Sequence, residues 1–333
     1  MNFRELNIAE PILNAICEKG YNEPTAIQQK AIPVALSNRD ILGIAQTGTG
    51  KTAAFAIPII QHLLQNDTKK QRREIKALIL TPTRELALQI SNCFTEYGKY
   101  THLRHCVVFG GVKQKPQTDK LSRGVDILIA TPGRLLDLMQ QGFIKLNNLK
   151  HLVLDEADRM LDMGFIHDIK RLLPLLPANK QTLFFSATMP KKIAELSHTI
   201  LKKPVRIEVS PVSSAVDTIE QSFYFVEQYQ KKSLLLKLLN DKLEKSILVF
   251  SRTKRGADKI AYDLKKAGIN TEAIHGNKSQ QARQRALFNF KSGKIRVMIA
   301  TDIAARGIDI NQLEMVINYD MPDVAETYIH RIG

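Results

Sequence analysis

The chain has few cysteines. It contains three, Cys17, Cys93 and Cys106, an odd number without the paired spacing of a metal site. This usage argues against a disulfide framework and against a zinc cluster, and it suits a reducing compartment. We therefore expect the thiols to serve in packing and the protein to be cytoplasmic.

Long apolar runs and low-complexity tracts are also missing. Residues from Met1 onward lack the apolar core of a signal peptide, and no later run approaches the length that spans a bilayer. With 44% hydrophobic and 24% charged residues, the chain has enough apolar material for globular cores. We expect a soluble protein without a membrane partner.

Acidic residues are in deficit. Lys and Arg number 48 against 33 Asp and Glu, which gives a formal net charge of +15. Such a surplus attracts polyanions at long range, so nucleic acid is the first partner to consider. Charge alone leaves open a basic surface that is merely solvated.

The length of 333 residues exceeds what one core usually serves. Short β-branched runs alternate with segments of helical period, which is typical of βαβ units and parallel sheets. The first series has strand candidates at Ile41 to Ala45, Ala77 to Leu80, Cys106 to Phe109, Asp126 to Ala130, Leu152 to Leu154 and Thr182 to Phe185. Helices are predicted at Arg84 to Tyr100 and at Pro190 to Leu201.

A second series follows a stretch of small and turn-forming residues, Ser210-Pro-Val-Ser-Ser-Ala215. Its strand candidates are Phe223 to Val226, Ile247 to Phe250, Ala273 to Ile274, Val297 to Ala300 and Met315 to Asn318. Its helix candidates are Lys232 to Leu243, Ala257 to Ala267 and Gln280 to Phe290. We predict two tandem α/β domains, 1–209 and 219–333, joined by a linker at 210–218.

A glycine-rich segment follows the first strand and opens a helix. Glycines there let backbone N–H groups turn inward, Lys51 can reach β and γ phosphates, and Thr52 can ligate magnesium. Ala45 departs from the generic pattern, which has Gly at that position. The predicted nucleotide-binding residues of this loop are Ala45, Gln46, Thr47, Gly48, Thr49, Gly50, Lys51 and Thr52.

Four residues, Asp155-Glu-Ala-Asp158, follow the apolar run Leu152 to Leu154. Open α/β sheets bind ligands at the carboxyl ends of their strands. Asp155 would hold magnesium, directly or through water, and Glu156 would orient and deprotonate the attacking water. Alone, such a quartet could be a solvated helix start; with Lys51 and Thr52 upstream, it predicts ATP hydrolysis.

With these motifs, almost the whole chain resembles the DEAD-box RNA helicases, which implies two RecA-like domains that use ATP and Mg²⁺ to act on RNA. Phe3 and Gly20 to Gln28 look like the Q motif of that family. The resemblance implies that Gln28 bonds the adenine edge and that Tyr21 stacks on its face. An amide can pair a donor and an acceptor with adenine simultaneously.

Further segments of the first domain resemble the family's RNA-backbone motifs. Their arginines offer fork geometry, their threonines offer hydroxyls, and their glycines allow close approach of a strand. The implied RNA-binding residues are Pro82, Thr83, Arg84, Gly110, Gly111, Thr131, Gly133 and Arg134. Ser186 and Thr188 resemble the motif that couples hydrolysis to RNA release, through bonds to the acidic quartet at Asp158.

The second domain carries the remaining motifs. The resemblance implies that Arg252, Arg283 and Thr301 contact RNA, and that Gly307 and Asp309 approach the nucleotide. Asp302 and Arg306 are expected to brace the motifs. The pair His275-Gly276 also matches the family, or is an ordinary turn at a strand end. The short amino terminus and the pair Thr253-Lys254 resemble those of the bacterial RhlE subgroup.

The chain ends within the last motif, His330-Arg-Ile-Gly333, and Arg331 is expected to brace it. The arginines that reach the γ-phosphate in this family lie past that point, and such a finger is worth on the order of 10³ to 10⁵ in turnover. We therefore expect a truncated chain, a second domain without its closing strand, and ATP and RNA binding with impaired hydrolysis.

The function predicted from these residues is local RNA unwinding by a monomer that contacts the RNA backbone with little sequence preference. Two alternatives stay open: an ATP-gated RNA clamp that does not turn over, and a related motor on double-stranded DNA. Asp158 and the Gln28 motif argue against the DNA motor. A metabolic P-loop kinase does not explain the duplicated domain or the basic surplus.

Overall fold

The computed structural model describes residues 2–46, 48–65, 73–209, 219–241, 246–305 and 313–332. The chain divides into two compact units, Met1–Ser210 and Pro211–Gly333. The linker predicted at 210–218 lies outside the described residues.

The first unit is an α/β unit with seven described strands. They are β1 Ile41–Ile44, β2 Ala77–Leu80, β3 His105–Val108, β4 Ile127–Ala130, β5 His151–Leu154, β6 Gln181–Ser186 and β7 Val205–Glu208. Its described helices are α1 Glu10–Glu18, α2 Ala26–Leu36, α3 Lys51–Gln65, α4 Arg84–Tyr97, α5 Lys115–Ser122, α6 Pro132–Gln140, α7 Ala157–Asp162, α8 Ile166–Leu172 and α9 Lys191–Ile200. Short 3-10 turns at Phe3–Leu6 and Leu173–Leu175 complete the described elements.

The seven strands form one sheet in the order β3-β4-β2-β5-β6-β1-β7, and the neighbours pair in parallel. Strands β2, β4, β5 and β6 are buried at every position, as expected of strands covered by helices on both faces. One face packs against α1 to α4, with Phe55 and Phe185 at its centre. The other face packs against α6 to α9.

All six strands predicted for this unit are present, with ends that shift by one residue or so. Strand β7 was not predicted. Its sequence, Val205-Arg-Ile-Glu208, buries only Ile207, because β7 lies at the edge of the sheet and pairs only with β1. An edge strand of this kind lacks the continuous apolar run that marks a central parallel strand.

The second unit has a smaller parallel sheet. Its described strands are β8 Ile247–Phe250, β9 Thr271–Ile274, β10 Val297–Ala300 and β11 Met315–Asn318, in the order β11-β8-β10-β9. Its described helices are α10 Lys231–Asp241, α11 Lys254–Lys266, α12 Gln280–Lys291, α13 Asp302–Ala305 and α14 Ala325–Ile332. Helices α10 and α11 cover one face, and α12 and α13 cover the other.

The strand predicted at Phe223 to Val226 is wrong for the described residues, because this segment forms no ladder. Phe223 and Phe225 are exposed by 64% and 100%. Aromatic and β-branched residues favour a strand only where a neighbouring strand supplies hydrogen bonds and packing. The local composition favours a strand but carries no information about a pairing partner.

Among the described helices, none combines the length and the apolar character needed to cross a membrane.

Candidate nucleotide site and nucleic-acid interface

The parallel sheet of the first unit brings the predicted motifs to a single edge. Each follows the carboxyl end of a strand, and the carboxyl ends of parallel strands share one edge. Along that edge lie Gly110 after β3, Thr131 after β4, Pro82 after β2, Asp155 after β5, Ser186 at the end of β6 and Ala45 after β1. The predicted nucleotide motifs therefore occupy one half of the edge, and the predicted RNA motifs occupy the other half.

The glycine-rich loop between β1 and α3 has the backbone that its sequence predicts. Gly48 and Gly50 have φ angles of +82° and +93°, a region that L-residues with side chains rarely adopt. Nothing lies within 4 Å of a Cβ placed on Gly48, whereas one on Gly50 would overlap the side-chain amide of Gln28. Thr47 lies outside the described residues.

Lys51, the first residue of α3, is buried, and its ammonium donates to the carbonyl oxygen of Ala45 at 2.8 Å. The ammonium thus satisfies a carbonyl of its own loop. A phosphate would offer the same donor a charged acceptor, which makes a stronger hydrogen bond. The loop is therefore closed on itself by a bond that an anion can replace.

Gln28 ties α2 to the glycine-rich loop. Its amide oxygen accepts from the backbone N–H of Thr25 at 3.0 Å, and its amide nitrogen donates to the carbonyl of Gly50 at 3.2 Å. Thr25 donates its hydroxyl to the carbonyl of Thr49 at 2.8 Å. An amide has two donor hydrogens and two acceptor lone pairs, so Gln28 keeps one of each for a ligand.

The role of Thr25 in this contact was missed from the sequence, although a signal was present. Thr25 and Gln28 have the Thr-x-x-Gln spacing of a capping box, and both bonds of that box are formed at the start of α2. Tyr21, predicted to stack on adenine, precedes this helix and is 50% exposed. Its ring is therefore accessible to a ligand.

Asp155 is the most deeply buried carboxylate of the acidic quartet, with 2% of its surface exposed. Burial raises the pKa of Asp155 to about 7, against the opposing effect of the charge on Lys51. Its Oδ1 is buried and has no hydrogen-bond partner among the described residues. A buried carboxylate oxygen without a partner is costly unless a cation or a donor arrives with the ligand.

Magnesium fits these residues. The ion prefers carboxylate and hydroxyl oxygens, and it usually binds through one or two carboxylates together with substrate phosphates. The unpartnered Oδ1 of Asp155 supplies such an oxygen, and Thr52 in the first turn of α3 offers a hydroxyl. The donor set therefore suits the ion expected from the sequence.

Glu156 has a left-handed backbone, with φ of +55°, and precedes the first residue of α7. Its carboxylate accepts two bonds from Nη1 of Arg159, at 3.1 and 2.9 Å. Left-handed geometry in a residue other than Gly, Asn or Asp is uncommon and is concentrated at functional sites. The sequence did not reveal the partnership with Arg159, although an i, i+3 spacing on a helix permits such a pair.

Asp158 is bound to the segment that follows β6, as predicted. Its Oδ2 accepts from the N–H groups of Ala187 and Thr188, at 3.2 and 2.8 Å, and from the hydroxyl of Thr188 at 3.0 Å. The hydroxyl of Ser186 accepts from the N–H of Asp158 at 3.2 Å and donates to the carbonyl of Thr188 at 2.7 Å. The acidic quartet and this segment are therefore mechanically linked.

The predicted RNA-binding residues of the first unit follow β2, β4 and β3, on the side of β5 away from the glycine-rich loop. Thr83 caps α4 by accepting from the N–H of Leu86 at 3.2 Å. The guanidinium of Arg84 lies against Gly111, whose φ is +77°, and a Cβ there would overlap it. Pro82 lies two residues before Arg84, and Gly110 directly precedes Gly111.

Thr131 and Gly133 belong to the start of α6, followed by Arg134. Nε of Arg134 lies 3.4 Å from Oδ2 of Asp137, while its Nη1 is buried without a partner among the described residues. Arginine forks of this kind match the geometry of a phosphate. The half of the edge around β3, β4 and β2 can therefore hold phosphates.

In the second unit, Arg331 is the best-fixed of the motif residues. Its guanidinium forms a fork on Asp302, at 2.6 and 2.8 Å, and donates to Asn318 at 2.8 Å and to the carbonyl of Asp320 at 2.7 Å. It also lies over the ring of Phe250 at 4.8 Å from the centroid. This geometry confirms the bracing roles expected of Asp302 and Arg331.

The other predicted residues of the second unit differ in how they are held. Arg252 is exposed and donates to the carbonyl of Met321 at 3.2 Å. Thr301 is buried at the carboxyl end of β10. Arg283 lies in the first turn of α12. Arg306, Gly307 and Asp309 lie outside the described residues.

His275 and Gly276 follow β9. Nε2 of His275 lies 3.0 Å from Oδ1 of Asp258, and its Nδ1 accepts from the N–H of Asn277 at 3.3 Å. These contacts lie between the end of β9 and α11, and the family match and the ordinary turn both stay predictions for this pair.

A phosphate-binding loop, a buried acidic quartet and a row of hydroxyls and guanidinium groups on one parallel sheet define the class. It is a P-loop α/β protein of the helicase type. The comparisons agree: residues 25–196 match the family described as DEAD/DEAH box helicase, and residues 230–333 match the helicase conserved C-terminal domain.

Similar proteins include the DEAD-box ATP-dependent RNA helicase RhpA of Helicobacter pylori, 42% identical over 332 residues, covering 100% of this chain and 66% of RhpA. The ATP-dependent rRNA helicase rrp3 of Schizosaccharomyces pombe is 44% identical over 334 residues, covering 99% of this chain and 70% of that protein. The structure of Saccharomyces cerevisiae Dbp5 bound to RNA and ADP BeF3 matches with a TM-score of 0.86 and 32% identity, covering 100% of this chain and 85% of that one.

The chain belongs to the DEAD/DEAH box helicase family. It spans about two thirds of the length of RhpA and 50% of DEAD-box ATP-dependent RNA helicase 30 of Oryza sativa.

Proposed function

We propose that this protein is an RNA-stimulated ATPase that locally unwinds or remodels short RNA duplexes. The observation that carries the proposal is the shared edge of the seven-stranded sheet, where the glycine-rich loop and Asp155 lie beside the row formed by Arg84, Gly111 and Arg134. ATP hydrolysis and RNA binding can then be coupled through the ends of neighbouring β-strands.

ATP would bind at the glycine-rich loop. Lys51 would exchange the carbonyl of Ala45 for the β and γ phosphates, and the start of α3 would offer its backbone N–H groups. Gln28, which holds Gly50, would use its remaining donor and acceptor on the adenine edge, with Tyr21 stacked on the base. Binding of the base would thereby be linked to the shape of the loop.

Thr52 and Asp155 would hold Mg²⁺, in part through water, and the ion would neutralise charge on the β and γ phosphates. Glu156 would orient the attacking water and accept its proton. Its ion pair with Arg159 fixes the direction of the carboxylate, which is the positioning that this reaction requires.

RNA would bind through its phosphates and 2′-hydroxyls. The residues at this edge offer positive charge and hydroxyls, and their glycines let an RNA strand come close to the protein backbone. Arg252, Arg283 and Thr301 would bind the same strand from the second unit, and Gly307 and Asp309 would approach the nucleotide from there. Hydrolysis would be coupled to release of the RNA through the bonds between Asp158 and Thr188.

Steady-state ATP hydrolysis with and without single-stranded RNA tests the proposal. The expected result is stimulation by RNA but not by single-stranded DNA of equal length, and its loss in Lys51→Ala. Arg84→Gln should weaken RNA stimulation, whereas Arg123→Gln is a matched control because Arg123 is exposed at the end of α5.

Different failures separate the alternatives. RNA held tightly with ATP but without phosphate release points to the clamp. Stimulation by duplex DNA points to the DNA motor. Nucleotide binding without a response to either nucleic acid contradicts the coupling. The RhlE-like subgroup, the monomeric state and the cytoplasmic location stay predictions.

A further inference from the structure

Two buried oxygen atoms at the active edge of the sheet have no hydrogen-bond partner among the described residues: Oγ1 of Thr81 and Oδ1 of Asp155. Both residues are almost inaccessible, with exposed fractions of 0% and 2%. A buried polar atom that stays unpaired destabilises a folded protein. Two such atoms that lie close together can be satisfied by one bound group.

The topology places them side by side. Strands β2 and β5 are parallel neighbours, with Leu80 opposite Leu154, so Thr81 and Asp155 occupy the next paired positions. The ladder continues there, because the N–H of Asp155 donates to the carbonyl of Leu80 at 2.9 Å. Neighbouring strands lie about 4.8 Å apart, which brings opposite side chains on one face within reach of a common small group.

Both side chains fall on the same face of the sheet. Side chains alternate along a strand, so Thr81 shares the face of Ile79, and Asp155 shares the face of Val153. Ile79 and Val153 both belong to the core that contains α3, the helix that begins at Lys51. On the other side of Asp155, the paired position of β6 is the buried ring of Phe185. Thr81 is therefore the polar neighbour of Asp155 along this row of the described sheet.

We propose that Thr81 is a positioning residue for the magnesium ion that Asp155 would hold, acting through a water molecule of the ion's shell. The inference rests on the proposed function. A hydroxyl can accept a hydrogen bond from such a water and can also donate one, so it can fix the orientation of the water beside the carboxylate of Asp155. Partners beyond the direct ligands typically change metal affinity by about 10- to 100-fold when they are removed.

If the hydroxyl of Thr81 had no role at the metal site, its removal would leave the magnesium dependence of nucleotide binding unchanged. Thr81→Val keeps the shape of the side chain and removes an unpaired buried polar group, so the protein without ligand should be as stable as the wild type or more stable. If Thr81 orients the ion's water, the same variant should bind nucleotide normally without magnesium and should lose the tightening that magnesium adds. Stability and magnesium dependence therefore change in different directions only under the proposed role.

The experiment measures binding of a fluorescent ADP analogue at a series of magnesium concentrations, without hydrolysis. For Thr81→Val, the magnesium concentration that gives half of the tightening should rise about tenfold or more. Thr81→Ser keeps the hydroxyl and should restore the wild-type value. Thr81→Ala provides a second variant without the hydroxyl. Thr182→Val, a buried threonine at the opposite end of β6, controls for loss of a hydroxyl in the same sheet.

An unchanged magnesium dependence in folded Thr81→Val or Thr81→Ala, judged by melting temperature, overturns the inference. So does an equal change in Thr182→Val. Wild-type protein that binds the analogue without any effect of magnesium overturns both the inference and the metal site of Asp155. Wild-type protein that binds no nucleotide overturns the proposed function itself.

Discussion

Thr188 holds the carboxylate of Asp158 with two hydrogen bonds, one from its backbone N–H at 2.8 Å and one from its hydroxyl at 3.0 Å. The other oxygen of Asp158 accepts from the N–H of Arg159 at 3.0 Å. Both oxygens of this buried carboxylate are therefore acceptors for donors fixed by the backbone. The acidic quartet after β5 cannot move without the segment after β6.

Asp158→Asn should be more damaging than its similar shape suggests. Whichever way the amide is turned, its NH₂ group faces a backbone N–H, either that of Arg159 or those of Ala187 and Thr188. We expect a loss of about 2–3 kcal/mol in unfolding free energy. Thr188→Ala removes only one donor and should cost about 1 kcal/mol. Chemical denaturation followed by circular dichroism measures both values.

An Asp158→Asn protein as stable as Thr188→Ala would show that the acceptors are not held as described. Thr188→Ser, which keeps the hydroxyl, serves as the control. If Asp158 transmits hydrolysis to RNA release, Thr188→Ala should keep most of its ATPase activity and lose most of its strand displacement. Equal losses of both activities would argue for a structural role alone.

The two glycines of the phosphate-binding loop should respond differently to alanine. Gly50→Ala would strain a residue with φ of +93° and would also displace the amide of Gln28. Gly48→Ala strains a similar backbone, but its new Cβ meets no atom within 4 Å. The strain alone is about 1–2 kcal/mol, or roughly tenfold in affinity. We expect at least that loss of nucleotide affinity in Gly48→Ala and a clearly larger one in Gly50→Ala.

Titration of a fluorescent nucleotide into each variant checks this order. The double variant Gly50→Ala, Gln28→Ala is the informative control, because it removes the overlap with the Gln28 amide and leaves the strain and the contact with the Thr25 hydroxyl. Its melting temperature should recover part of what Gly50→Ala loses; melting temperature is compared here because Gln28 is itself predicted to bind adenine. Equal affinities in Gly48→Ala and Gly50→Ala would mean that the contact between Gln28 and the loop does not contribute to the free energy of nucleotide binding.

Much of this site could be predicted from the sequence because its signals are local. A glycine-rich loop between a strand and a helix, and an acidic quartet after an apolar run, specify both residue type and place. The contact of Thr188 with Asp158 was expected only through the family resemblance, and the structure contains it. The strands of the first sheet followed from short runs that are buried on both faces.

Features that depend on distant partners could not be predicted. Nothing near Gln28 in sequence indicates that its amide reaches the carbonyl of Gly50. The strand expected at Phe223 to Val226 has the right composition and no ladder, because pairing depends on a neighbour that local periodicity does not encode. Strand β7 was missed for the converse reason, since β1 supplies the pairing that its own mixed sequence does not suggest.

Buried histidine should make the first unit sensitive to acid. His62 on α3 and His151 on β5 stack with ring centroids 5.1 Å apart, and Nδ1 of His151 lies 3.0 Å from the amide oxygen of Gln181. Burial, together with the neighbouring His62, lowers the pKa of His151 to about 4. Between about pH 6.5 and pH 4, His151 is therefore neutral in the folded protein and protonated in the unfolded chain.

The contribution of His151 to stability then falls as pH falls from about 6.5 toward 4, because the unfolded state binds more protons at this residue in that range. The raised pKa of Asp155 acts in the opposite direction over the same range, so His151 must be isolated by comparison with a variant. Between about pH 7.5 and about pH 5, this one histidine should lower the unfolding free energy by about 2 kcal/mol. Urea denaturation at the two pH values measures the difference. His151→Asn keeps a polar group near the Nδ1 position and cannot titrate, so between the two pH values the wild type should lose about 2 kcal/mol relative to this variant. Equal pH dependences in the wild type and the variant would place the sensitivity elsewhere.

Arg331 should be indispensable to the second unit. Its buried guanidinium joins Asp302, Asn318 and the carbonyl of Asp320, so it connects α13, β11 and the turn that follows. Arg331→Ala leaves the carboxylate of Asp302 without this partner, and because that carboxylate is 29% exposed, the loss should be about 2–3 kcal/mol, below the roughly 3–5 kcal/mol of a fully buried pair. Arg331→Lys keeps the charge but cannot form the fork, so it should recover only part of the loss. Arg285→Lys, on a largely exposed side chain, should change stability by no more than about 0.5 kcal/mol. Hydrogen exchange of β8 and β11 reports the effect in this unit alone, and equally protected strands in Arg331→Ala would refute the bracing role.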